Sequence, residues 1–115
     1  MAKKKVLIIE DGKPLQKLYL DLLKDTDVEV VQAFTLEEAT RLFEEHKDSL
    51  DLISFDFNLG RYTTIDLIKK IKPQFAGVMV AASFEEHNRR LQMEAGCTRD
   101  EPEKDIPRLI KNLFF

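Results

Sequence analysis

Three carboxylates occupy positions from which they can act together. Glu10 and Asp11 directly follow the apolar run Val6-Leu7-Ile8-Ile9, and Asp56 directly follows Leu52-Ile53-Ser54-Phe55. Acids gathered in one crevice repel one another unless they are protonated or neutralised by a cation. Hard oxygen donors that leave room for several waters suit Mg²⁺. Other chemistry-bearing side chains are sparse. Cys97 is the single cysteine, and neither His46 nor His87 stands beside it at a zinc-ligand spacing. Following Gly96, Cys97 reads as a packed thiol, and the two histidines read as surface side chains. Arg89-Arg90, Lys69-Lys70 and Lys3 to Lys5 read as solvated faces. With no nucleophile–base pair beyond the carboxylates, a hydrolytic enzyme fits worst.

Whether the acids meet depends on the elements that carry them. Residues 6–9 are β-branched and aliphatic without alternation, which predicts a strand covered on both faces in a parallel sheet. Pro14 suits a first helical turn, and Leu15, Leu18, Tyr19, Leu22 and Leu23 recur at helical spacing, predicting an amphipathic helix to about Lys24. Val28 to Val31 predicts a second strand. Thr35 with Glu38 forms a capping box before a helix whose apolar stripe is Ala39, Leu42 and Phe43. A third strand covers 52–55, residues 57–61 read as a loop, and Ile65, Leu67, Ile68 and Ile71 mark a helix ended by Pro73. Val78 to Ala82 predicts a fourth strand, and a polar helix runs from about Ser83 to Ala95, stopped by Gly96.

Strands alternating with helices imply right-handed βαβ units and an open parallel sheet with helices on both faces. Ligands of such sheets collect beyond the carboxyl ends of the strands. If the first and third strands are neighbours, Glu10, Asp11 and Asp56 meet there. The last third departs from the pattern. Thr98 to Asp105 offers no apolar side chain but Pro102, so a fifth strand is very short or absent. Asp105 caps a terminal helix with Pro107 in its first turn and Leu109, Ile110 and Leu113 as its packing face. Phe114 and Phe115 either cover the core or offer an exposed contact.

Composition excludes classes without naming a function. A chain of 115 residues suits one domain, expected here without an output domain. Its 18 basic and 21 acidic side chains nearly cancel to a net charge of −3, so neither an acidic tail nor a broadly basic nucleic-acid binder is indicated. The apolar runs are far short of a membrane span, and the Met1 to Lys5 start is too short for a targeting signal. One cysteine makes no internal disulfide, so a reduced, cytoplasmic protein is the expectation.

The same residues resemble the receiver domains of two-component response regulators. The likeness is carried by Lys4-Lys5-Val6-Leu7-Ile8-Ile9-Glu10-Asp11, by Asp51 to Gly60, by Val78-Met79-Val80-Ala81-Ala82 and by Glu94-Ala95-Gly96, in that order and spacing. It implies a flavodoxin-like, doubly wound parallel sheet of strand order 2-1-3-4, with the fifth short or absent. It also implies that Asp56 takes a phosphoryl group from a histidine kinase or phosphotransfer protein. Asp11, Glu10 and Asp56 would hold Mg²⁺, with the backbone carbonyl of Asn58 completing its shell.

Departures from the family pattern lie on the other side of the pocket. Receivers have a Thr or Ser at the end of strand four, where this chain has Ala81; Ser83, two residues on, reads as a helix cap. The family lysine after strand five falls at Glu103 by ungapped count, or at Glu101 if the proline is aligned. Lys104 reaches inward only if that loop is rearranged. The aromatic switch position falls at Asp100. These exchanges lead to an atypical receiver, not an enzyme, that acts as a protein-interaction module, monomeric or weakly dimeric, towards a kinase, phosphotransfer or downstream partner. Two alternatives stand beside it. One is a working phosphorelay shuttle or sink; the other is a nucleotide- or cyclic-phosphate-binding relative using the Asp56–Gly60 loop and Ser83.

Overall fold

A computed structural model describes residues 3–115; Met1 and Ala2, the first part of the basic start, lie outside the described residues. Five strands form a parallel sheet in the order β2-β1-β3-β6-β7, built from β1 (Lys5–Ile9), β2 (Glu29–Ala33), β3 (Leu52–Phe55), β6 (Val78–Ala81) and β7 (Arg99–Asp100). The expected order therefore holds, with a two-residue fifth strand held parallel against Val80 and Ala81.

The unalternating apolar runs are explained by burial on both faces. Side chains alternate across a strand, so each run feeds two cores. Leu7, Ile9, Ile53, Phe55, Met79 and Ala81 pack with Ala39 and Phe43 of α2 (Leu36–His46) and Leu67, Ile68 and Ile71 of α3 (Ile65–Ile71). On the opposite face, Val6, Ile8, Leu52, Val80 and Ala82 pack with Tyr19 and Leu23 of α1 (Lys13–Leu23) and Ile106, Leu109 and Ile110 of α5 (Ile106–Phe114). The helix α4 (Glu86–Ala95) closes the sheet beside β6, and Gly96 ends it at φ +140°, a conformation that favours glycine.

Several local expectations shift. In α1, Leu18 and Leu22 turn to solvent at 48% and 42% exposure, and Gln16 is buried in their stead. Its amide nitrogen donates to the carbonyls of Ile8 (3.0 Å), Glu10 (3.1 Å) and Ala33 (3.2 Å), groups at the strand ends that no leucine can satisfy. The second strand begins at Glu29 and reaches Ala33. The Thr35 hydroxyl accepts from the Glu38 amide at 3.0 Å, and the Glu38 carboxylate reaches back to the Phe34 amide at 2.8 Å, one residue before the box's usual return.

The expected loop over 57–61 is part of a small hairpin, β4 (Asn58–Leu59) against β5 (Tyr62–Thr63), turned by Gly60 at φ +62°. Pro73 does not end the chain's turning, because it fits the start of a 3₁₀ turn at Lys72–Gln74. Asp105 makes no capping hydrogen bond to α5 and pairs instead with Arg108 at 3.1 Å. The buried face of α5 uses Ile106 rather than Leu113, which is 37% exposed. Phe114 packs on the core under the Lys4 ammonium, 5.5 Å from its ring centre, while Phe115 is exposed. Among the described residues, no helix is long and apolar enough to cross a membrane.

Candidate functional site

Register brings the acidic residues to one level. Ile9 stands opposite Phe55 in the β1–β3 ladder, so the next residue on each strand is an acid, Glu10 and Asp56. The Asp56 amide donates to the Ile9 carbonyl at 3.0 Å, extending the ladder by one step and fixing that level. A third carboxylate arrives from the far edge. After β7, the Glu101 amide donates to the Ala81 carbonyl at 3.0 Å, Pro102 turns the chain, and a 3₁₀ turn at Glu103–Asp105 places Glu103 over the pocket. Carboxylate oxygens of Glu10, Asp56 and Glu103 all lie within 4.8 Å of one another.

Each acid is held by its backbone surroundings. One Glu10 oxygen accepts from the Gly12 amide at 2.7 Å, and a Cβ at Gly12 would come to 3.0 Å from that oxygen, close enough that the carboxylate would have to give way by a few tenths of an ångström. Asp56 accepts from the Phe57 amide at 2.8 Å. Its carbonyl accepts from the Thr64 hydroxyl at 2.6 Å and from the Gln92 amide nitrogen at 3.1 Å. Glu103 is steadied through its carbonyl, which accepts from the buried Tyr19 hydroxyl at 2.7 Å.

Burial and like charge set the protonation of the group. Burial above all, with the charges of Asp56 and Glu103, pushes Glu10 up to about 8, against the pull of the Gly12 amide. Asp56 rises to about 6, again chiefly through burial. The Phe57 amide and a hydrogen bond from Glu10 restrain it, while the charges of Glu103 and Asp11 raise it further. Glu103 is also raised, first by burial. All three acids are thus pushed towards the protonated form, Glu10 furthest, so the cluster favours taking up a proton or a cation. The Tyr19 hydroxyl, buried beside these charges, is raised well above the usual phenol range.

The remaining residues singled out by the sequence are placed as follows. Asp11 is exposed and accepts from the Gly60 amide at 3.1 Å, tying the hairpin tip to the loop after β1. Asn58 is exposed on β4, opposite Thr63. Ala81 is fully buried and carries no donor towards the pocket. Ser83 is buried, and its hydroxyl accepts from the Glu85 amide at 3.2 Å, a local turn just before α4. Glu101 is half-buried and Lys104 is exposed to solvent. Asp100 is ion-paired with Arg89. His87 is exposed, while His46 is half-buried, its Nδ1 3.4 Å from the Lys5 ammonium. Burial lifts the Cys97 thiol to about 12. Beside Asp11, a groove of about 400 Å³ lies between α2 and the hairpin, lined by Phe34, Leu36 and Tyr62.

Two residues of α4 depart from the sequence reading: Arg89, expected on a solvated face, is turned onto neighbouring acceptors with its side chain only 12% exposed, and Gln92 was not singled out. Arg89 pairs with Asp100 and also donates to the carbonyls of Ser83 (2.9 Å) and Phe84 (3.0 Å). Gln92 is fully buried and donates to the carbonyls of Phe55 (2.9 Å) and Asp56 and to the Thr64 hydroxyl at 3.2 Å. A signal existed for the second. Residues 86–95 contain too few apolar side chains to make a buried stripe, so a polar one had to face the sheet.

The donor set fits a hard divalent cation. It offers three carboxylates within one coordination span, no sulfur or imidazole, and no Lys or Arg ion-paired with them among the described residues.

Solved structures share this architecture. A response regulator receiver domain protein from Clostridium thermocellum is 24% identical, with a TM-score of 0.76 over 95% of this chain and 92% of that one. A two-component response regulator from Clostridium difficile is 20% identical, with a TM-score of 0.83 over 96% and 93%. The BeF3-activated N-terminal receiver domain of Klebsiella pneumoniae RstA is 20% identical, with a TM-score of 0.80 over 96% and 94%. No family model and no curated protein matches the chain. At these identities the likeness establishes the fold, that of response regulator receiver domains.

Proposed function

We propose that this chain is an atypical receiver module of two-component signalling whose docking face is preset rather than switched by phosphorylation. The observation that carries the reading is the Arg89–Asp100 pair. Where the resemblance puts an aromatic reporter, Asp100 is bound by Arg89, which also fastens the Ser83–Phe84 turn to α4. Gln92 fastens the same helix to the backbone of Asp56. A ligand shifts an equilibrium only through differential contacts with two states. With Ala81 in place of a hydroxyl and Lys104 in solvent, few contacts distinguish a phosphorylated Asp56 from a free one.

The partner is a protein of such a pathway: a histidine kinase, a phosphotransfer protein or a downstream component. Mg²⁺ would be held by Glu10 and Asp56, with Asp11 and the Asn58 carbonyl as the further oxygens the resemblance supplies, and would offset carboxylate charge at the nucleophile. The chain has no turnover of its own beyond accepting and losing a phosphoryl group at Asp56.

Amide spectra of the protein in Mg²⁺, before and after addition of beryllofluoride, test the reading. Shifts confined to the pocket are expected. Coordinated displacement of Glu86–Ala95 and Arg99–Asp100, absent in Asp56→Asn, would show a conventional switch and overturn it.

A further inference from the structure

We infer that Glu103 is a third carboxylate ligand of the pocket's divalent cation, which thereby clasps β1, β3 and the segment leading into α5. This deepens the reading above and rests on it for the identity of the pocket. Two carboxylates from neighbouring strands would serve a cation open to further ligands. Here the 3₁₀ turn adds another, on a backbone fixed by the Tyr19 hydroxyl and followed at once by fully buried Ile106.

No Lys or Arg is ion-paired with the cluster among the described residues. Arg89 is engaged by Asp100 and two carbonyls, and Lys104 is exposed. The three acids therefore depend on a proton or an external cation for neutralisation. Affinity of an oxygen-ligand site follows its charge count and rigidity, and Glu103 raises both.

Mn²⁺ binding to the full chain, measured by calorimetry, tests the assignment with Glu103→Gln and, as a nearby acid outside the cluster, Glu101→Gln. Glu103→Gln is expected to weaken Mn²⁺ by about tenfold or more, and Glu101→Gln to leave it nearly unchanged. Equal affinities for wild type and Glu103→Gln overturn the inference, as does equal weakening by both variants or no binding by wild type at millimolar Mn²⁺. A second measurement needs no variant: titrating wild type with Mg²⁺ should move the side-chain carboxylate carbon of Glu103 together with those of Glu10 and Asp56. A static Glu103 signal overturns the inference. These results read ligation alone, whereas the beryllofluoride spectra read the response of α4, so either proposal can fail while the other stands.

Discussion

Replacing Glu10 by glutamine should stabilise the cation-free protein, by an amount that depends on pH. The substitution keeps an oxygen for the Gly12 amide and removes the ionisable group. In the folded chain Glu10 titrates near 8, against an ordinary value of 4.5. At pH 7 it is therefore mostly protonated when folded and ionised when unfolded, and folding must take up a proton. The interval from 4.5 to 7, at about 1.4 kcal/mol per pH unit, is a penalty of about 3 kcal/mol.

The sign follows from the proton count. A carboxyl whose folded value is raised binds more protons when folded, so its contribution is fully present below pH 4.5 and is lost as pH rises through 8. Glutamine does not titrate. The variant and wild type should match in stability near pH 4 and diverge through neutrality, with about 3 kcal/mol as the ceiling at pH 7 because a buried acid cluster relaxes. Urea unfolding from pH 4 to 8 in chelator, followed by circular dichroism, gives the difference directly. Adding Mg²⁺ should narrow it by stabilising the wild type. A difference that stays flat from pH 4 to 8, or a variant less stable than wild type at neutral pH, would refute the raised titration of Glu10.

Arg89→Ala should cost about 1–2 kcal/mol, less than a fully buried charge pair because Asp100 is 43% exposed, and should speed hydrogen exchange at residues 84–86 and 100–101; unchanged exchange there would show that Arg89 does not hold the turn. Tyr19→Phe removes the hydroxyl that donates to the Glu103 carbonyl and should cost about 1 kcal/mol in urea unfolding, with faster exchange confined to residues 103–106. A loss spread evenly over the chain would argue against that anchoring role. Cys97, buried and raised to about 12, should react with a thiol reagent only as fast as the protein opens, so modification at the rate of free cysteine in native buffer would contradict its packing.

The central strands were legible because burial on both faces leaves no room for polar alternation, and Val6 to Ile9 and Leu52 to Phe55 advertise this directly. Strand order and the meeting of Glu10 with Asp56 follow once those runs pair. What stayed hidden depends on polar groups buried for backbone reasons. Leucine spacing in α1 pointed to Leu18 and Leu22, but carbonyls at the ends of β1 and β2 required Gln16 inside. The hairpin over 58–63 rests on one positive φ at Gly60, a backbone property that the residues 57–61 do not declare. Counting from Gly96 put a carboxylate where the resemblance has a cation, yet its inward direction depends on a turn and on a tyrosine hydroxyl 84 positions earlier in the chain.

That turn also explains why Lys104 points away from the pocket. Successive side chains of a 3₁₀ helix point about 120° apart, so a turn that aims Glu103 into the pocket swings Lys104 away from it. The acid-rich stretch after Gly96 thus divides by direction. Asp100 faces outward to Arg89 and fixes the edge of the sheet, while Glu103 faces inward and adds charge to Glu10 and Asp56. A net charge of −3 over 115 residues describes neither environment. The first acid fastens α4 and the second leaves the pocket dependent on a proton or a cation, so two acids three residues apart in one short segment act on opposite sides of the sheet edge.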